Sequence, residues 1–439
     1  MFNKSTKRKM KKNLFKAAVC CMAMLAMAAS CSSDNDVESD DIIEGDYVVN
    51  MAYPEKVIKL NAEQRGMVEA SNDFAFNFFR QVNADQGEKS CFCSPLSLSY
   101  MLGMLITGAD GETRRQILDV LGFNTDDPLL VNIYCANLLK NAPLIDPKVT
   151  LSIANSIYVN SAKGTITPDF DQQMKQYYNA DVEALNFTSP DVLGRINGWA
   201  SEKTNGMIPS ILDEVDPSCV MYLLNAIYFK ADWATKFESK YTKKAEFIDE
   251  KGDKTKLPMM HQKMRMYYGE ATDYTAISLP YGEGAFSMTI LLPREGRSVG
   301  DVIDGLKGKA LAENEMKVCD VDVKIPRFST FTDLNLIELM KRLGMVRAFD
   351  SFLAEFPWMV NEGGLYVSLM KQKARIEVDE EGSKAAAVTI VGGNYVTSLP
   401  DKPVEYEKHD FHANRPFVYV ISERGSNVVF FVGKFSGQQ

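Results

Sequence analysis

Histidine is nearly absent from these 439 residues: His261, His409 and His412 are the whole supply. With so few imidazoles, and with no G-x-S-x-G, H-E-x-x-H, P-loop or G-x-G-x-x-G pattern, the common hydrolase, zincin and nucleotide-binding chemistries have no residues to run on. His409 and His412 lie three apart, a spacing open to metal ligation, but no Cys or third His stands near them in the sequence, so they read as solvated loop histidines. Cys93 or Cys219 with His261 would be the only thiol–imidazole pairing to consider, and nothing local favours it. Neither a cofactor nor a metal is expected, and the chain does not read as an enzyme.

Other features are scarce as well. No Pro/Gly/Ser linker and no internal repeat divides residues 60–439, so they read as one large domain. The cysteines beyond residue 31 number five (Cys91, Cys93, Cys135, Cys219, Cys319), without CxxC or Cys/His ligand spacing. Their apolar surroundings suit buried free thiols rather than a disulfide framework.

The longest uncharged apolar run near the N-terminus is AAVCCMAMLAMAAS (17–30), too short to span a bilayer. Residues 1–16 before it hold seven Lys/Arg and no acid, the order of a secretory signal. The run ends at Ala28-Ala29-Ser30-Cys31, which resembles a bacterial lipobox with Ala28 where Leu is usual, so Cys31 is expected to carry lipid. The stretch SSDNDVESDDIIEGD that follows has seven acids between Asp34 and Asp46 and no base. It reads as a solvated tether over 31–60, and resembles the surface-export signals of some gram-negative lipoproteins. Loss of residues 1–30 would take seven positive charges from a net charge of −9, leaving −16. Such a chain is a poor partner for nucleic acid.

The body begins with helical patterns. NDFAFNFFR (72–80) is amphipathic; Ser94-Pro95 offers an N-cap with proline at the first helical position. LSLSYMLGMLI behind it is apolar nearly all round, the mark of a buried helix, and ETRRQILDVLGF closes at Gly122. Strand patterns then dominate: 149–159, 220–230, 286–293, 321–328, 374–378, 416–423 and 427–435, with one helix expected over 333–345. Long β runs without regular intervening helices argue for an α+β fold with large, mainly antiparallel sheets.

One connection is unusual. Between ARIEV (374–378) and PFVYVISE (416–423), the segment from Ser383 to Val391 (SKAAAVTIV) is small and then β-branched, where a loop would carry turn residues. Counting by twos from Ser383, one face would hold Ala385, Ala387, Thr389, Val391 and Gly393, none charged or large; Lys384 and Ala386 take the other. Proline is absent from 383 to 398. The connection is written as a strand.

CFCSPLSLSYMLGMLITGADGETRRQILDVLGF (91–123), INGWASEKTNGMIPSIL (196–212), LLNAIYFKADW (223–233), KIPRFSTFTDLNLIELMKRLGM (324–345), LYVSLMKQKARIEVDEEGSKAAA (365–387), FHANRPFVYVI (411–421) and FFVGKF (430–435) occur in this order and together resemble serpins. The resemblance implies a serpin domain over 61–439 with three β-sheets, eight to nine helices and an exposed reactive-centre loop. It implies a suicide-substrate inhibitor of extracellular proteases, monomeric, forming a 1:1 covalent complex in which the cleaved loop enters the main sheet as a new strand. The hinge would comprise Glu380, Glu381, Gly382, Ser383, Ala385, Ala386, Ala387 and Thr389. The scissile bond would lie between Val396 and Thr397, or after Tyr395 if the register slips by one. Val396 suits an elastase-like or subtilisin-like serine protease; a papain-like cysteine protease also fits. Ser94, Ser97, Asn225 and Trp233 correspond to residues that control sheet opening, joined by Gln372, where relatives often carry His. The other reading is a non-inhibitory serpin, a binding or chaperone-like module. Such relatives tend to have bulky, charged or proline residues where this chain has GSKAAAVT.

Overall fold

The computed structural model describes residues 47–307, 315–383 and 405–437. Asn61 caps the first helix, α1 (Ala62–Gln86), its side chain accepting from Gln64 N at 2.8 Å while Gln64 Oε1 accepts from Asn61 N at 3.2 Å. The amphipathic piece expected at 72–80 is thus the middle of a longer helix. In α2 (Pro95–Gly108) the Ser94 hydroxyl accepts from Ser97 N at 3.2 Å and Pro95 sets the first turn. Every residue of α2 is buried, as its unbroken apolar surface requires. The next helix, α3 (Gly111–Leu121), ends at Gly122, whose φ of +68° is the left-handed cap. Helices α4 (Pro128–Asn141), α5 (Pro168–Gln173), α6 (Val192–Lys203), α7 (Val299–Gly305) and α8 (Ile337–Arg342) complete eight among the described residues.

Two hydrogen-bonded sheets organise the strands. The first has six: β3 (Val149–Asn160), β4 (Asp181–Leu185), β5 (Met221–Asp232), β11 (Phe328–Asn335), β12 (Leu369–Val378) and β13 (Gly382–Ser383), in the order β11-β12-β13-β5-β3-β4. The second runs β14 (Lys408–His412), β10 (Lys317–Pro326), β7 (Lys254–Glu270), β8 (Tyr274–Pro280), β9 (Phe286–Pro293), β15 (Phe417–Glu423), β16 (Val429–Phe435), β2 (Cys91–Cys93). Two further strands, β1 (Val48–Val49) and β6 (Lys243–Ile248), pair with β7 off this path. The expected second and third sheets are one ladder because β7, seventeen residues long, belongs to both: Met259–Tyr268 pair with β10, and Tyr268–Glu270 with β8.

Several boundaries differ from the sequence reading. The run 321–328 is two strands in different sheets, broken at Arg327. The helix expected from Asp333 starts at Ile337, because Asp333–Asn335 finish β11 against Lys373–Lys371 of β12. Residues 47–60, assigned to the tether, lie on the body: β1 pairs with Met264–Arg265, and Asn50 and Ile58 are buried. His409 and His412 sit in β14, paired in parallel with Val321 and Lys324 of β10, and are not loop histidines. The five cysteines beyond residue 31 are free, four of them buried, which pushes the Cys91 thiol up to about 11 and Cys135 up to about 12.

α2 packs against β5 of the first sheet and β16 of the second, so its N-terminus lies beneath the centre of the six-stranded sheet. Beside it, Phe92, Phe328, Phe417, Tyr419, Phe431 and Phe435 form a shared aromatic core. Gly433 lies directly opposite Tyr419 in the β15–β16 ladder, and a Cβ there would stand 2.3 Å from the ring carbon Cζ. The ring is boxed by other aromatics and cannot retreat. Gly433→Ala is therefore expected to cost about 1–3 kcal/mol, read as a lower Tm; an unchanged Tm would show the ring is free to move.

Candidate functional site

The six-stranded sheet is zipped at one end and parted at the other. Leu369–Ala374 of β12 pair in parallel with Tyr222–Ile227 of β5. Further along, Gly382–Ser383 come between the same two strands: Ser383 pairs antiparallel with Val378 on one side and Ala231 on the other. The chain reaches that gap by a tight turn, in which Asp379 N donates to Gly382 O at 3.0 Å and Gly382 N to Asp379 O at 3.3 Å.

At the zipped end, Gln372 and Asn225 are opposite one another and both fully buried. Gln372 Nε2 donates to Asn225 Oδ1 at 3.1 Å and to Ser94 O at 3.0 Å, and its Oε1 accepts from Ser94 N at 3.0 Å. Asn225 Nδ2 faces Ser97 Oγ (2.8 Å), Asn155 Oδ1 (3.0 Å) and Ala154 O (3.2 Å). Ser94 Oγ donates to Phe430 O at 2.8 Å. One amide thus links β12 to β5 and ties both to the N-terminus of α2. An amide is neutral throughout the ordinary pH range, and its carbonyl and NH2 supply the acceptor and donors used here.

At the parted end, Trp233 stacks on Tyr281, with centroids 4.5 Å apart, and its Nε1 donates to Asp379 O at 2.9 Å. The Ser383 hydroxyl is buried within 2.9 Å of Tyr281 Oη. Glu380 is only 4% exposed, although the sequence 379–381 reads as an ordinary charged turn. It accepts from Arg327 Nη2 at 2.5 Å and Thr242 Oγ1 at 2.6 Å. Burial by itself would raise its carboxyl, but these two donors hold it below the usual range. Glu381 stays at the surface with Lys236. Gly382 has φ +146°, and a Cβ there would lie 2.2 Å from Ala231 O and 2.5 Å from Asp232 Cα. Only glycine lets the backbone pass that close.

The matched family model is Serpin (serine protease inhibitor), over residues 69–437. The chain belongs to the serpin family. Human Serpin B8 is 32% identical, the match covering 84% of this chain and 99% of the relative; the Xenopus tropicalis leukocyte elastase inhibitor is 31% identical, over 84% and 98%. Tengpin, a thermophilic serpin in its native state, superposes with TM-score 0.77 at 30% identity, covering 88% of this chain and 97% of that one. The serpin fold is therefore established, and the family is one of inhibitors rather than enzymes.

This serpin brings Ser94, Ser97, Asn225 and Gln372 into one cluster, and Trp233, Glu380, Glu381, Gly382 and Ser383 into another at the parted end. Ala385, Ala386, Ala387, Thr389, Tyr395, Val396, Thr397 and Cys31 lie outside the described residues. Four contributors were not visible in the sequence: Asn155, Thr242, Tyr281 and Arg327. Each reaches a hydrogen-bond partner across more than 65 positions except Arg327, which is 53 from Glu380, and no local pattern marks such pairs. Of the thiol–imidazole pair considered, His261 is bonded to Asp322 at 2.8 Å and the Cys93 thiol donates to Val432 O at 3.7 Å.

Gln372→Ala leaves Ser94 N and Asn225 Oδ1 buried without their partner, at about 1–3 kcal/mol for each group. The expected result is a lower Tm and faster spontaneous loss of the native form; wild-type behaviour would remove Gln372 from the clamp. Glu380 predicts an acid dependence. Its carboxyl is depressed in the folded chain, so its stabilisation is present above the ordinary carboxylate pKa and is lost as pH falls through the lower folded value. Tm measured from pH 6 to 3 should fall less steeply for Glu380→Gln than for wild type; parallel curves would sink the assignment.

Proposed function

We propose that this serpin is a suicide-substrate protease inhibitor whose cleaved loop enters the six-stranded sheet between β12 and β5. The observation that carries the reading is the two-residue rung of β13, which already runs antiparallel to both neighbours in a gap between them. Continuing its register residue by residue, from Ser383 level with Val378 and Ala231, brings Thr389 level with Gln372 and Asn225. A hydroxyl would arrive where the Gln372–Asn225 hydrogen bond must be broken, on the same face as the buried Ser383. The inward set Ala385, Ala387, Thr389 and Val391 contains nothing too large or charged to be covered by α2 and its neighbours. Fourteen residues from Ser383 to Val396 would reach roughly 46 Å at about 3.3 Å each.

The scissile bond is proposed at Val396–Thr397, with Tyr395 as the alternative, and the target as an extracellular elastase-like or subtilisin-like enzyme acting in 1:1 covalent complex. The leukocyte elastase inhibitor among the relatives is consistent with that pocket preference. Export and lipid attachment at Cys31 to a bacterial outer membrane are part of the same proposal, resting on residues 1–46. No helix among the described residues is long and apolar enough to cross a membrane.

The test is incubation of the purified chain with an elastase and a subtilisin. The expected result is an SDS-stable complex and a released C-terminal peptide whose mass places the cut after Val396. Ala385→Arg should still be cleaved but form no complex, because a guanidinium on the buried face blocks insertion. Cleavage of wild type without a complex and without a rise in Tm would overturn the inhibitor reading.

A further inference from the structure

Strand β14 is the first described strand after residues 384–404, and its pairing partners carry an arrangement that inhibition does not use. The outward face of β7, β10 and β14 presents His261, Asp322, Asp410 and His412. Asp322 Oδ1 lies 2.8 Å from His261 Nε2 and 3.3 Å from His412 Nε2. One ligand atom each from Asp322, Asp410 and His412 falls within 4.8 Å of the others. Asp322 and Asp410 are direct cross-strand neighbours, and like charges so placed oppose strand pairing unless something positive lies between them.

We propose that these four side chains form a divalent metal site, suited first to zinc. Two imidazoles and two carboxylates are an N/O donor set for zinc and its neighbours cobalt and nickel. Tetrahedral arms of about 2.0–2.1 Å place ligand atoms about 3.3 Å apart, the separation of His412 Nε2 from Asp322 Oδ1; His261, at 2.8 Å from Asp322, completes the set by drawing back a little. On binding, each Nε2 coordinates through its lone pair while the ring proton resides on Nδ1, an imidazolium releasing its one extra proton to solvent, and the ion replaces both hydrogen bonds to Asp322. Two lysines share the face: Lys324, in register between His261 and His412, and Lys263, opposite Asp322; Arg265 pairs with Asp320 at 2.8 Å. Their positive charge weakens the site, which gives it a signature: neutralising Lys324 should tighten it. An ion held by three strands would pin β14 to β10 and β7.

The experiment is titration of the metal-stripped full chain with Co2+, read by visible absorption, followed by Zn2+ displacement and Tm. Support is the spectrum of a four-coordinate ion saturating at one equivalent, displaced by Zn2+, with a Tm that rises with Zn2+. His412→Ala and Asp322→Asn should weaken binding more than about tenfold, and Lys324→Met should strengthen it. If His412→Ala does not fold, His261→Gln, which can keep a hydrogen bond to Asp322, serves in its place. The proposal is overturned by absence of saturable binding or by affinity unchanged in these variants. It is equally overturned by a thiolate charge-transfer band that vanishes in Cys319→Ser, which would place the ion on Cys319, Glu407 and His409 across the sheet. None of these readouts involves a protease, so they stand or fall apart from the inhibitor reading.

Discussion

The hydrogen bond between Gln372 and Asn225 is the constraint on which the rest of the structure turns. β12 and β5 are parallel neighbours joined over only six residues each, and this pair sits within that zip. Because both amides are fully buried, neither can fall back on water, so the bond is made or the cost of an orphaned polar group is incurred. The same amides hold Ser94 and Ser97, so the state of the sheet and the seating of α2 are a single equilibrium. Toward its other end α2 is held by Thr107, whose hydroxyl donates to Asn132 Oδ1 at 2.8 Å.

The parted end works by opposite means. There the strands are kept apart by a wedge: Trp233 on Tyr281, Ser383 against Tyr281, and the turn at 379–382 held by Glu380 with Arg327 and Thr242. A buried carboxylate with a half-exposed guanidinium partner is a poor source of net stability but a good means of fixing a conformation, since removing the guanidinium strands the carboxylate. Gly382 is the point where this wedge becomes a strand, and its φ and its contact with the β5 backbone leave no room for a side chain. The sheet is thus joined by a neutral amide clamp at one end and parted by a charged wedge at the other.

Much of this is legible in the sequence. The cap at Ser94-Pro95, the all-apolar helix after it, the left-handed cap at Gly122 and most of the long strands follow from local chemistry and from the period of the apolar residues. The failures have physical causes. Asp333–Asn335 look helical by pattern and are a strand because β12 offers them a ladder. Glu380 looks like a solvated turn residue and is buried because Arg327, 53 positions away, is there to receive it. His409 and His412 look like loop residues and belong to a strand because β10 presents an edge for parallel pairing.

By itself the sequence determined that the body of this chain is α+β of the serpin type, that the five cysteines of that body are unpaired, and that the connection after Ser383 is composed of the residue types a strand uses. Those properties depend on residue type and on spacing within a few positions, which are local and additive. The tertiary structure alone decided that Gln372 takes up both donor and acceptor duty in the clamp, that Tyr281 and Arg327 belong to the wedge, and that Asp322 stands between two histidines. Each of those depends on strand order and register, and register is set by the packing of whole faces, which no short stretch of sequence contains.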